Sequence, residues 1–250
     1  MALKRFPPGL GNPTAEWAAL GFAQRLSVPT PTPLRFDAAG AWFGAPAIVM
    51  SLLPGRPQLQ PCDVDAWIEA LAQTLATMHD SAPAEAPDAL RRSPMWDRWV
   101  PDGLPEHAPT RRIVTAIEGL RAREWPQRCF CHCDFHPANV LFTGDAVSGV
   151  VDWSAGRLAP VLNDVGRVLV ELALRLDGDA PDHFASRYQA LSGRNIDGVE
   201  HWDVLAGAVV LEHAAEWLPI YSAFGVETTV ADLTERARGF VTTALDRIDL

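Results

Sequence analysis

His132-Cys133-Asp134-Phe135-His136-Pro137-Ala138-Asn139-Val140-Leu141 and, a few residues on, Val150-Val151-Asp152-Trp153 place three oxygen-bearing side chains at the ends of short β-prone runs. Phe130 is flanked by cysteines, Val140–Thr143 reads as a second strand, Gly144-Asp145 as a turn and Gly149–Val151 as a third strand, so residues 128–153 form a small β island. An aspartate, an asparagine five residues later and a second aspartate closing the next hairpin strand can direct their oxygens to one point. Hard oxygen donors of this kind suit Mg²⁺, with phosphate oxygens and water completing its octahedron. Asn139 and Asp152 fit the ligand roles, and Asp134 fits that of a base that accepts or orients the proton of a hydroxyl.

On either side of this island the periodicity is different. Before it, Met1–Phe6 predicts a strand, Pro7–Pro13 a turn, and Thr14–Leu26 a helix capped by Thr14 and ended by the prolines at 29–33. The apolar run within Trp42–Leu53, closed by Pro54-Gly55, predicts a buried strand and a turn. From Asp63, Val64, Trp67, Ile68, Leu71, Leu75 and Met78 recur at helical spacing as far as His79. Residues 111–124, 164–177, 182–192, 201–218 and 228–248 predict further helices, and proline-rich 81–109 a surface excursion.

The chain has 250 residues, 48% hydrophobic and 21% charged, enough for a core that needs neither disulfides nor metal. These values exclude a disordered chain or a coiled coil, and no apolar run is long enough for a bilayer. The N-terminus lacks the continuous apolar stretch of a secretory signal, which predicts a cytoplasmic location. The net charge of −10 lies wholly in residues 131–250, while residues 1–130 balance. An acidic half repels polyphosphate backbones, so nucleic acid is not an expected partner, nor is a membrane. Cys129, Cys131 and Cys133 alternate along a strand beside His132, too crowded for a tetrahedral zinc knuckle, and read as small buried hydrophobes.

The motif His132 to Asn139, with Val151 to Trp153, resembles the catalytic loop (H-G-D-x-H-x-x-N) and metal motif (I-D-W/F) of the aminoglycoside phosphotransferase and choline kinase-like superfamily. The likeness extends to Ile48–Arg56, similar to the family's hinge, to Leu71–His79, and to Pro160–Leu172, and so covers about residues 1–175 in family order. It implies an α+β, protein-kinase-like two-lobe fold, with a truncated small β lobe at 1–54 and a mainly helical catalytic and acceptor-binding lobe at 55–250. It also implies Asp134 as the catalytic aspartate, Asn139 and Asp152 as Mg²⁺ ligands, Ser51, Leu52 and Leu53 as the hinge meeting adenine, and Asp164 as a brace for the loop.

The only lysine, Lys4, lies in Met1-Ala2-Leu3-Lys4, which looks like the kinase strand motif V-A-I-K, and Glu16 in the following helix is its candidate partner. A solvated terminal lysine is the competing reading. If Lys4 is on the third strand, Met1–Leu3 cannot supply the first two strands and the glycine-rich loop, which predicts a truncated small lobe, and Gly9-Leu10-Gly11 reads as a plain turn. Cys133 stands where the family has glycine, so a left-handed turn there would be strained.

The implied activity is transfer of the γ-phosphoryl group of ATP, or alternatively GTP, to a hydroxyl of a small molecule. The acidic lobe suggests an aminoglycoside or other cationic acceptor, held near Trp202, Trp217 and Tyr221 or by Glu212 and Glu216, with core packing and a solvated face as the competing readings for these residues. A catalytically impaired pseudokinase that binds nucleotide or a partner is the alternative, and the oligomeric state stays open.

Overall fold

A computed structural model describes residues 1–9, 11–80, 86–91, 99, 101, 103–106 and 108–248. About half of the excursion expected over 81–109 falls outside these residues, as does Leu10 of the Gly9–Gly11 turn. Strands β1 (Ala2–Arg5), β2 (Pro33–Asp37) and β3 (Ala47–Met50) form an antiparallel sheet in the order β1-β3-β2, with Lys4 opposite Ile48. Helix α1 (Pro13–Ala23) packs on this sheet and on the turn at 153–155. Its cap is Asn12, whose side chain accepts from the Ala15 N–H at 3.0 Å, and not Thr14; Pro13 occupies the first turn, where a missing N–H costs nothing.

The sequence reading missed β2 because its prolines read as a breaker. Pro33 begins an edge strand, a place where a sheet tolerates proline. β3 covers only Ala47–Met50 of the apolar run found within Trp42–Leu53. The Asp37 carboxylate accepts the N–H groups of Ala41, Trp42 and Phe43 and folds that stretch into a turn.

The β island divides between two sheets. Strands β4 (Arg56–Pro57), β6 (Val140–Thr143) and β7 (Ala146–Val150) pair in the order β4-β6-β7, while β5 (Arg128–Cys131) pairs with β8 (Arg157–Pro160). Arg-Leu-Ala-Pro has little β bias, so β8 was not foreseen; β5 recruits it by pairing Cys131 with Arg157. Gly55, at φ +94°, turns the chain into β4 so closely to Phe142 that a Cβ would lie 2.4 Å from its carbonyl oxygen.

The remainder is helical: α2 (Val64–Asp80), α3 (Thr110–Ala122), α4 (Val161–Arg175), α5 (Ala180–Ser192), α6 (Val199–Ala223) and α7 (Val230–Arg247). α4 packs against both α5 and α6, and α6 against α7. Gly166 permits the α4–α6 approach, since a Cβ there would sit 2.9 Å from the Trp202 Cβ. α6 runs through Pro219, where the sequence reading stopped it. Tyr221, buried in the last turn, donates to Glu171 of α4 at 3.1 Å and holds the helix beyond the proline. Among the described residues no helix is long and apolar enough to cross a membrane.

Beneath the loop that follows β5, Phe130 stacks on Trp153 at 5.5 Å between centroids, and His132 leans on the same indole at 4.6 Å. The Trp153 Nε1–H donates to the Val150 carbonyl at 3.1 Å, so this fully buried ring is satisfied as well as packed. Trp153→Ala is expected to lower the unfolding free energy by about 3–5 kcal/mol, read from urea denaturation. A loss below 1 kcal/mol would show that the floor does not depend on the stack.

Candidate active site

Asp164, fully buried in the first turn of α4, accepts three hydrogen bonds: from the His132 N–H at 2.9 Å, the Cys133 N–H at 2.6 Å and His79 Nε2 at 3.2 Å. Two successive backbone N–H groups converge on one carboxylate only if the chain turns sharply, and Cys133 takes φ +61°. A left-handed turn, which a side chain at this position was expected to strain, is therefore present with a cysteine in it. His79 is held in turn by the Tyr188 hydroxyl at 2.7 Å, which ties α2 and α5 to the same brace. His132 packs under the loop and bonds the Val151 carbonyl through Nε2 at 2.9 Å.

The turn lifts Asp134 into the cleft, its side chain 38% exposed. Arg167 Nε donates to Asp134 Oδ1 at 3.0 Å, and His136 Nε2 lies 3.6 Å from Oδ2. Burial works to raise the pKa of Asp134, but His136 and Arg167 outweigh it and hold the carboxyl well below its ordinary range. Asn139 Nδ2 donates to the Asp134 carbonyl at 2.9 Å, which orients the amide and leaves its oxygen for a cation. The Asn139 carbonyl accepts from the Val151 N–H at 2.9 Å, so the residue before Asp152 is tied to Asn139.

Asp152 is also left-handed, at φ +61°. Its Oδ1 accepts from Lys4 Nζ at 2.9 Å, and Lys4 donates to Glu16 at 2.9 Å as well. Lys4 is thus a paired residue that joins β1, α1 and the end of the catalytic hairpin, and the solvated-terminus reading falls away. Burial alone would lower its pKa; Asp152 and Glu16 more than reverse this and raise it. Burial raises the pKa of Glu16 against the pull of Lys4, and Lys4 keeps Asp152 low against its own burial. Ser51 follows β3, with its N–H on the Thr32 carbonyl at 2.9 Å and its Oγ accepting from the Thr32 N–H at 2.8 Å. Leu52 projects outward, and Leu53 packs beside Gly149.

A cleft of about 520 Å³ opens beside Asp134. Trp202, Trp217 and Tyr221 line it, whereas Glu212 and Glu216 do not: Glu212 accepts from the Gly103 N–H at 3.1 Å, and Glu216 pairs with His213 at 3.4 Å. The charged wall comes from α4, where Arg167, Glu171 and Arg175 recur every four residues on one stripe, a spacing visible in the sequence and not singled out. Glu171 lies 3.1 Å from Arg167 and 2.8 Å from Arg175; against its burial these guanidiniums lower its pKa to about 2. Cys133 lies beyond β5 and so off the face of the other two cysteines. Cys129 and Cys131 are buried with sulfurs 3.8 Å apart near His79, whose ring nitrogens both serve the brace.

A small sheet lobe and a helical lobe meeting at a loop of this geometry define a protein-kinase-like chain. It belongs to the phosphotransferase enzyme family (APH), whose model matches residues 1–207. A homoserine kinase of Methylobacterium is 29% identical over 79% of this chain and 67% of its own length; that of Sinorhizobium fredii is 32% identical over 51% of this chain. The match spans only 42% of the second relative, so the chain corresponds to about half of it. The fold is shared with choline kinase LicA from Streptococcus pneumoniae (TM-score 0.65, 16% identity, 98% of this chain and 86% of that one). It is shared too with aminoglycoside phosphotransferase APH(3'')-Id from Streptomyces rimosus, solved with ADP and streptomycin (TM-score 0.63, 20% identity, 82% of this chain and 86% of that one).

The left-handed Cys133 gives a direct test of the turn. Glycine relieves a strain of about 1–2 kcal/mol, and a β-branched residue adds to it. Cys133→Gly is expected to raise Tm by about 2–4 °C and Cys133→Val to lower it by at least as much, measured by calorimetry. The reverse order would contradict the turn.

Proposed function

We propose that this chain transfers the γ-phosphoryl group of ATP, or of GTP, to a hydroxyl of a small molecule. The nucleotide would lie between residues 1–54 and 55–250. The observation that carries this reading is the meeting of Lys4, Glu16 and Asp152 in one ion-paired cluster, joined by way of Val151 and Asn139 to the loop that bears Asp134. The amide oxygen of Asn139 and the carboxylate of Asp152 are a hard donor pair that fits Mg²⁺, and the ion would neutralise phosphate charge there.

Each side chain then has a defined task. Lys4, steadied by Glu16, turns its ammonium from Asp152 to the α- and β-phosphates. The Ser51 N–H already serves the sheet, so the backbone of Leu52 and Leu53 is left to face the base. Asp134 stays ionised because Arg167 and His136 hold it so; it aligns the acceptor hydroxyl for in-line attack and takes its proton late, when the oxygen has become acidic. No covalent enzyme intermediate is required. The aminoglycoside expectation finds no support in the cleft, where the acids that line it among the described residues, Asp134 and Glu171, are each paired with arginine.

Millimolar Mg·ATP is expected to raise Tm by several degrees, and Asp152→Asn to abolish that shift. Asp134→Asn is expected to keep the shift and to slow acceptor-dependent ADP formation by about 10²–10⁴-fold. Absence of any shift in the wild-type protein would favour a nucleotide-independent binding protein instead.

A further inference from the structure

We infer that a second cavity, enclosed by the end of α4, the start of α5 and residues of α6 and α7, binds a small organic cation: a primary ammonium on a short apolar body, received by Asp203. This cavity shares no lining residue with the cleft beside Asp134, and the inference does not depend on phosphotransfer. Asp203 of α6 is only 4% exposed and lines the cavity, whose volume is about 320 Å³. Neither of its carboxyl oxygens has a hydrogen bond or an ion pair among the described residues; Oδ1 is sealed from solvent, and Oδ2 is the oxygen left open. Buried acids are ordinarily paired, because desolvation otherwise goes uncompensated.

The charges around Asp203 are already matched. Arg236 donates to Asp177 at 2.8 Å and to the Leu176 carbonyl at 3.3 Å, and Arg247 lies 3.6 Å from Asp182. Two guanidiniums thus face two carboxylates on the exposed rim, and Asp203, far more buried than either, is the acid left over. Burial pushes its pKa well up, and Glu200 and Asp182 push the same way against Arg247, so the group is short of positive charge. The last turn of α4 reaches the same cavity through Ala173 and Leu176, and the negative end of its dipole also favours a cation. An anion would have to take an arginine from its rim acid. Leu176, Pro181 and Phe240 supply an apolar wall for a short hydrocarbon chain.

The test is isothermal titration calorimetry of butylammonium, butan-1-ol and butanoate against the whole chain. The ammonium is expected to bind at one site about ten- to a hundredfold more tightly than the alcohol, and the acid more weakly than both. Asp203→Asn, which keeps the size of the side chain, is expected to bring ammonium and alcohol to parity. Thr243→Trp, at an exposed position on the cavity rim, is expected to abolish ammonium binding in a protein that still folds. Trp217→Ala, which alters the other cleft, is expected to leave the ammonium preference intact. With the wild-type protein, no measurable ammonium binding, equal binding of ammonium and alcohol, or tightest binding of butanoate would overturn the proposal without reference to any variant. An ammonium preference that survives either Asp203→Asn or Thr243→Trp, or one that is lost in Trp217→Ala, would overturn it as well.

Discussion

One buried carboxylate, that of Asp164, sets the geometry on which everything in the cleft depends. By accepting the N–H groups of both His132 and Cys133 it forces a left-handed turn at a residue with a side chain, and that turn raises Asp134 out of the core. The strain at Cys133 persists because the surroundings over-determine it: β5 is pinned to β8, His132 is wedged against Trp153, and Asp164 sits on a helix packed on two sides. His79 and Tyr188 carry the same constraint into α2 and α5, so the helical lobe and the loop form one mechanical unit.

Above that floor the site is assembled from charge pairs whose members come from different elements. Lys4 of β1 meets Glu16 of α1 and Asp152 after β7; Arg167 of α4 meets Asp134 of the loop and stacks on Trp217 of α6. Exposed pairs such as Lys4–Asp152 contribute little to stability, but Glu16 and Arg167 are buried or nearly so, and removing the partner of either leaves it desolvated and uncompensated. Their effect is to preorganise: the acids that would face metal and hydroxyl are kept ionised, and the cations that would face phosphate and acceptor are held in place.

Much of this was legible in the sequence because it is local. The helical periodicities after Asp63 and the hairpin strands around Gly144 are short-range signals, and helices and strands form there; the spacing of Asp134, Asn139 and Asp152 is equally local, and their shared role is the one proposed above. The losses are long-range or a matter of packing. β8 forms only because β5 recruits it, β2 because a proline suits an edge, and α6 continues past Pro219 because Tyr221 reaches Glu171. Glu212 and Glu216, which the sequence offers either as acceptor contacts or as a solvated face, do not line the cleft, whereas Trp202, Trp217 and Tyr221 do; the spacing of the glutamates suggests a charged stripe as readily as that of Arg167, Glu171 and Arg175. Only the packing of α4 on α6, close at Gly166, decides which stripe faces the cleft.

Hydrogen exchange read by mass spectrometry on Asp164→Asn examines the brace most directly. Asparagine keeps the size of the side chain but presents an N–H₂ group where a backbone donor needs an acceptor. The peptide spanning 131–136 is expected to lose protection by an order of magnitude or more, with α6 and α7 unchanged. Unaltered protection of that peptide in a folded variant would mean that the loop does not owe its shape to Asp164.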